Sequence, residues 1–465
     1  MTESLMTPDH RGDDLGAGAV HRLAGTRAAT LTAVLGAAVM LGGTSSSANA
    51  KCNWFDSVFG QPCHAAAERG PVPKTDQPQE QNDLRLDKVP LRSDAMLQAM
   101  DAAIGRYQEI VRKGGWASIP GTRMMRPGDD DERIPLVRRR LAATGDLSRA
   151  PSGYETFNFD GELELAVRRF QERHGLRVSG RVDAPTIQAM NVPAQARVAQ
   201  LKLNYQRVNE LMGQRLEDRF IVVNVPGFQL EAVSGGTVEL RHRVIAGKPE
   251  RQTPVVKASI RALNFFPFWR VPDSVATLDL IPKLQKEPEY LQREQIRVLS
   301  GNFNGQELDS TQIDWRQPDA TRIKFRQDPG PQNALGLVRI DMPNEHGVYM
   351  HDTPMKPLFA QRARAFSAGC VRVQDVFDLA VWIARDEPGM DRRRVDEILA
   401  SGSAADITLT RQMPVYFTYV TAWVEANGRV EFRPDIYGRD GLRELSSDRE
   451  RDPDAPALPT QALAP

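Results

Sequence analysis

Two residues in the C-terminal half have the types and setting for nucleophilic catalysis. Cys370 stands in the turn Ser367-Ala368-Gly369-Cys370, and His351 lies nineteen residues earlier at the end of the apolar run Val348-Tyr349-Met350. A thiolate is the working nucleophile of a cysteine, and a neighbouring imidazole can draw the thiol pKa from about 8.5 towards neutrality. A glycine-containing turn ahead of a helix is expected to hold Cys370 where its sulfur can be exposed. A turn and a strand end can meet in space. Spacing alone leaves a buried, inert cysteine equally open.

The other histidines point to blander roles. His346 belongs to a Pro343-Asn344 surface turn, His174 caps a helix, and His242 alternates with strand residues. No set of His, Cys and carboxylates has zinc-ligand spacing, so neither a metal nor another cofactor is implied. Phe265, Phe266, Phe268 and Trp269 read as core or cleft wall, and the basic run Arg138 to Arg140 as a solvated helix face.

The elements around the pair follow from periodicity. Met350 and its neighbours form a strand that delivers His351, and Asp375 begins a helix striped by Val376, Leu379, Ala380 and Ile383. Ile221, Val223 and Val225 alternate with polar positions, as do Val238, Leu240, His242 and Val244. Val415 to Val424 and Arg429 to Phe432 flank Asn427-Gly428, a hairpin turn signal. Ser274 to Gln317 breaks the alternation with charged, helical-looking sequence, which predicts an inserted lid or subdomain.

Upstream the period is helical. Leu97, Met100, Ile104, Tyr107 and Val111 form one stripe behind a Ser93 cap, and Gly114-Gly115 ends it. Three short helices follow, opened by Pro135, striped by Leu163, Ala166, Val167 and Phe170, and opened by Pro185; a further helix runs from Ala194 to Met212. The fold class is therefore α+β: a mostly β catalytic domain with an inserted lid, an all-α three-helix domain and a helical scaffold.

The whole chain sets the compartment. Its 465 residues carry 60 basic and 60 acidic side chains, which removes an electrostatic case for nucleic acid. Arg22 and Arg27, the uncharged run Ala28 to Gly43, and Ala48-Asn49-Ala50 have the order of a secretory signal cleaved after Ala50. An uncleaved anchor is the alternative, and only then is the inner membrane a partner. Either way the bulk of the chain is exported to the periplasm or cell envelope. There Cys52 and Cys63 can pair, or simply bound a small loop. The expected organisation is a signal or anchor over 1–50, a linker over 51–92, helical scaffold over 93–126 and 196–218, the three-helix domain over 127–195, the catalytic domain over 219–445 with its lid at about 274–317, and a disordered tail over 446–465.

Ala166 to Asn191 (AVRRFQERHGLRVSGRVDAPTIQAMN) resembles the peptidoglycan-binding three-helix module. His351-Asp352-Thr353-Pro354 followed by Ser367-Ala368-Gly369-Cys370-Val371-Arg372 resembles the L,D-transpeptidase signature, a histidine ahead of an S-x-G-C-[VI]-R run. Leu263 to Pro272, Arg326 to Gly336 and Val348 to Pro354 add to that likeness, which is to the large, scaffold-bearing subgroup and covers about Ser93 to Asp440. The resemblance implies that Cys370 is the nucleophile and His351 the general base. It also implies that the amides around Gly369 and Cys370 form the oxyanion hole, and that the carbonyl just after the histidine, at Asp352, orients the imidazole. Arg372 either pairs with a substrate carboxylate or makes a structural salt bridge. Ser367 and Thr353 are the other substrate-side positions, and Ser367 can brace the cysteine loop.

The implied reaction is acyl transfer on peptidoglycan stem peptides, with a donor tetrapeptide and an acceptor amine giving a 3-3 crosslink, and carbapenems as thiol acylators. Two rivals stand beside it: an L,D-carboxypeptidase using water at the same site, and a non-catalytic wall-binding scaffold.

Overall fold

A computed structural model describes residues 87–148, 156–213, 216–318 and 322–442. The expected export segment, Cys52 and Cys63, most of the expected linker and the expected tail lie outside the described residues. Helix α1 (Asp94–Arg112) starts where Ser93 Oγ accepts the Met96 N–H, and buries Met96, Met100, Ala103, Ile104 and Tyr107. These residues meet Val198, Leu201 and Val208 of a later helix and one face of the main sheet.

Three helices form the next core: α2 (Ile134–Ala143), α3 (Gly161–Arg173) and α4 (Ala184–Asn191). Asp160 and Asp183 cap α3 and α4 through their side chains. Val137, Leu141, Leu163, Val167, Phe170, Ile187 and Met190 fill the space between them. The arginine run of α2 corrects the expectation of a solvated face. Arg138 pairs with Asp160 at 2.5 Å, and Arg140 is buried, its guanidinium 3.6 Å from the centroid of the Trp116 ring and its Nε donating to the Met190 carbonyl. A planar, weakly hydrated guanidinium can be buried against a ring face in a way that an ammonium cannot. Helix α5 (Ala194–Met212) then leads back beside α1.

The β half begins with β1 (Arg219–Asn224), β2 (Gln229–Ser234), β3 (Thr237–Gly247) and β4 (Val256–Phe265). Every residue of β1 is buried because both of its faces are covered. Phe220 and Val222 pack under α1 and α5, while Ile221 and Val223, pointing the other way, join a second core.

An insertion follows, and it is a mixed α and β subdomain where the sequence suggested a helical one. After β5 (Trp269–Arg270), α6 (Asp273–Val275), a π-helical turn (Ala276–Leu280), α7 (Ile281–Leu284) and α8 (Tyr290–Arg293) supply the helical part. Strands β6 (Ile296–Ser300), β7 (Glu307–Leu308) and β8 (Ile323–Gln327) then form a separate sheet in the order β5-β8-β6-β7, reaching beyond Gln317. Ile296, Val298, Ile323 and Phe325 enter its core from alternate positions, a period of two that the charged sequence hides.

The remaining strands complete the main sheet: β9 (Val338–Asp341), β10 (Met350–His351), β11 (Ala365–Ser367), β12 (Val371–Val373) and, after helices α9 (Val376–Ala384) and α10 (Arg392–Ser401), β13 (Ala405–Thr418). The order is β11-β3-β12-β10-β9-β4-β13-β1-β2, and β2 also pairs with β3, so the sheet closes on itself. The strand expected over Val415 to Val424 is two elements. β13 ends at Thr418, and β14 (Ala422–Val424) pairs instead with β15 (Val430–Phe432) across the Asn427-Gly428 turn. The break occurs where Asn204 and Asp440 take the Thr421 amide and hydroxyl. Among the described residues no helix is long and apolar enough to cross a membrane.

Candidate active site

Strands β10 and β12 run parallel and side by side, with Met350 opposite Val371 and His351 opposite Arg372. One step back in the same register, the Val371 amide donates to the Tyr349 carbonyl at 3.0 Å, which places Cys370 beside Tyr349. Side chains on a strand alternate faces, so Tyr349, His351, Cys370 and Arg372 share one face. The Tyr349 and His351 rings meet edge to face with centroids 5.8 Å apart. The sequence gives Tyr349 no role beyond its strand, although its place two residues before His351 is a signal that the two share a face.

The imidazole is held in one tautomer. His351 Nδ1–H donates to the Asp352 carbonyl at 2.5 Å, which leaves the lone pair on Nε2, buried and without a hydrogen-bond partner among the described residues. The Asp352 carboxylate is occupied elsewhere: it accepts the Leu337 N–H at 3.0 Å and pairs with Lys356. Asp352 therefore orients the imidazole through its backbone, while its side chain ties the strand to the end of the insertion.

The cysteine turn is braced from within. Ser367 Oγ donates to the Cys370 carbonyl at 2.5 Å and accepts the Gly369 N–H at 3.2 Å, so the Gly369 amide expected in the oxyanion hole already has a partner. Gly369 itself adopts a φ of +122°, open to glycine and strained for other residues. Thr353 is also buried, its Oγ1 accepting the Met355 N–H at 3.2 Å. Both hydroxyls thus hold local loops.

Burial governs the electrostatics. Cys370 is 7% exposed and His351 0%. Desolvation pushes the thiol up to about 11, against the pull of the Tyr349 hydrogen bonds and the Arg372 charge. Desolvation and then Arg372 push His351 down to about 3. The exposed, acidified thiol expected from the turn is therefore corrected: at neutral pH this is a thiol beside a neutral imidazole, covered where Tyr349 and Ala368 pack against the core of the insertion. Arg372 is buried too. Its Nε has no hydrogen-bond partner among the described residues, and its guanidinium reaches only the Met355 sulfur at 4.0 Å. A thiol, a neutral imidazole and an uncompensated guanidinium on one face have the chemistry that acyl transfer to an anionic substrate would need.

The other singled-out residues fall outside this cluster. His346 sits on an exposed turn. His174 stacks between Phe170 and Phe432, and His242 Nδ1 bonds the Gln374 carbonyl at 2.9 Å, at the entry to α9. Phe265, Phe266 and Trp269 are core, whereas Phe268 is exposed beneath Arg326. Among the described residues no group of three His, Cys, Asp or Glu could hold a metal ion.

Residues 218–398 match the family profile described as "L,D-transpeptidase catalytic domain", and residues 130–190 the profile "Putative peptidoglycan binding domain". Over residues 218–398 the chain is therefore similar to the L,D-transpeptidase catalytic domain family. Its histidine and cysteine motifs lie inside that match, and the α2 to α4 core lies inside the other. A Haemophilus influenzae protein named "Putative L,D-transpeptidase" is 35% identical over 221 residues, 47% of this chain. The match spans only 44% of that relative's length. Solved L,D-transpeptidases are more distant. One from Stackebrandtia nassauensis is 13% identical, covering 64% of this chain and 96% of its own with a TM-score of 0.25. L,D-transpeptidase 3 from Mycobacterium tuberculosis, solved with a faropenem-derived adduct, is 12% identical, covering 43% of this chain and 58% of its own with a TM-score of 0.22.

Proposed function

We propose that the chain is an exported L,D-transpeptidase that forms 3-3 peptidoglycan crosslinks through a thioester on Cys370. The observation that carries this reading is the His351 tautomer. With Nδ1–H held by the Asp352 carbonyl, Nε2 can accept the thiol proton as sulfur attacks, and then pass it to the departing amine. In the proposed sequence sulfur adds to the carbonyl of the donor's third residue. The C–N bond to the terminal D-alanine breaks, and that amine leaves with the proton. An acceptor amine then displaces the sulfur and restores the thiol.

Arg372 is the proposed partner of the substrate carboxylate, because a buried guanidinium with an unpartnered Nε gains most from an anion. The insertion over Tyr349 and Ala368 is proposed to keep water from the thioester and so favour aminolysis. The three-helix domain is the proposed wall-binding part, which places the protein's work in the cell envelope.

The test is product analysis by mass spectrometry after incubation with a purified disaccharide-tetrapeptide. Crosslinked dimers together with an acyl adduct on Cys370 support the transpeptidase. Tripeptide alone would make it a carboxypeptidase, and an unmodified, inert protein would return it to a wall-binding scaffold.

A further inference from the structure

Behind the cysteine turn, β3 ends at Gly247 and the chain doubles back to Thr253. The Thr253 side chain is completely buried, and its hydroxyl has two partners: Oγ1 accepts the Gly247 N–H at 2.8 Å and donates to the Gly369 carbonyl at 2.8 Å. The elbow that carries it is tight. A Cβ on Gly247 would lie 2.2 Å from the Arg251 carbonyl oxygen and 2.7 Å from the Thr253 nitrogen. Tyr437 ties it to the C-terminal segment, its hydroxyl donating to the Gly247 carbonyl at 2.5 Å and accepting the Thr253 N–H at 3.2 Å. The hydroxyl therefore projects at Gly369 from a fixed support.

A trans peptide is planar, so its C=O and N–H point in opposite directions. Holding the Gly369 carbonyl against Thr253 turns the amide of Cys370 to the opposite side. Glycine at 369 offers no steric resistance to rotation of this peptide. The Gly369 amide is already taken by Ser367, so the Cys370 amide is the turn's donor for a developing oxyanion. We propose that Thr253 is a positioning residue that aims the Cys370 N–H by gripping the carbonyl on the other end of the same peptide. This rests on the thioester reading above, in which sulfur adds to a carbonyl and its oxygen takes the charge.

Two thiol reagents separate aiming from folding. Ertapenem acylates by carbonyl addition: a C–S bond forms, the lactam C–N bond breaks, and the nitrogen takes a proton. Iodoacetamide is displaced at carbon, with loss of iodide and no oxyanion. Rates for both are measured by intact mass on the full chain, in the wild type and in Thr253→Val, Thr253→Ala and Thr253→Ser. Val and Ala both remove the hydroxyl, so a folding failure in one leaves the comparison intact. The expected result is ertapenem acylation slowed about tenfold or more in Val and Ala, part of the loss seen when an oxyanion donor is removed outright, with alkylation within about twofold of wild type. Serine should restore acylation. Val or Ala acylating at the wild-type rate, or both reagents slowing together, would overturn the inference and leave Thr253 a structural residue. A wild type that takes iodoacetamide but not ertapenem overturns the thioester reading itself, and the inference with it.

Discussion

At the residue scale, the resting site is a neutral pair, and that has consequences for substitution. Because burial holds the thiol near 11 and the imidazole near 3, neither group ionises on its own at neutral pH. The proton must leave sulfur as the bond to the substrate forms, which makes Nε2 indispensable. Cys370→Ala should abolish turnover, and His351→Ala should lower it by about 10²-fold or more. His346→Ala, on an exposed turn, should leave the rate unchanged. Steady-state release of D-alanine checks all three, and equal losses in the two histidine variants would mean that the base is misassigned. Tyr349 is not legible as a site residue in the sequence for a physical reason: alternation along a strand says which residues share a face, but not which neighbouring strand brings the sulfur to that face.

At the element scale, the insertion is anchored as well as packed. Asp279, in its π-helical turn, pairs with Arg251 at 2.5 Å and Lys248 at 3.7 Å, both in the elbow behind the cysteine turn. If the insertion shields the thiol, weakening this anchor should expose Cys370 more often. An ion pair at this partly exposed position is worth up to about 1 kcal/mol, so Asp279→Ala should raise the iodoacetamide alkylation rate by up to about fivefold. An unchanged rate, with the same melting temperature, would show that the insertion does not gate the thiol. The mixed α and β character of this element is hidden in the sequence because β6 is defined by its pairing with β8, a long-range contact that charged flanks obscure.

At the scale of the whole molecule, buried histidines set the pH response. His174, His242 and His351 all have pKa values pushed down by burial. The unfolded chain binds protons at these sites from about pH 6.5 downwards while the folded chain does not, so stability rises with pH through this window and is lost as pH falls below 6.5. A histidine held as far down as His174 or His351 contributes a slope of about 1.4 kcal/mol per pH unit once the pH is well below 6.5. Urea unfolding at pH 7.5 and pH 5 should show a lower midpoint at pH 5, with His174→Gln narrowing the gap; equal midpoints would refute the assignment of neutral buried histidines. The proposed export has its own test. N-terminal sequencing of protein taken from its own envelope should begin at Lys51, and a chain that still begins at Met1 would indicate an anchor.

The sequence by itself determined the residue types on which the proposed chemistry rests and most of the local structure. The Ser93 cap, the helical stripes and the run of motifs around His351 and Cys370 depend on neighbours a few residues apart, and such short-range patterns are written directly in the chain. Only the tertiary structure decided the environment of those residues. Arg138 and Arg140 look like a solvated face until Asp160, Trp116 and Met190 close over them. The thiol looks activated until the insertion and the sheet withdraw it from water. Thr253 looks like any strand-edge threonine until its hydroxyl meets a carbonyl 116 residues away. Burial, pKa and the aim of a peptide are set by groups distant in sequence, and their strength depends on how much water folding removes.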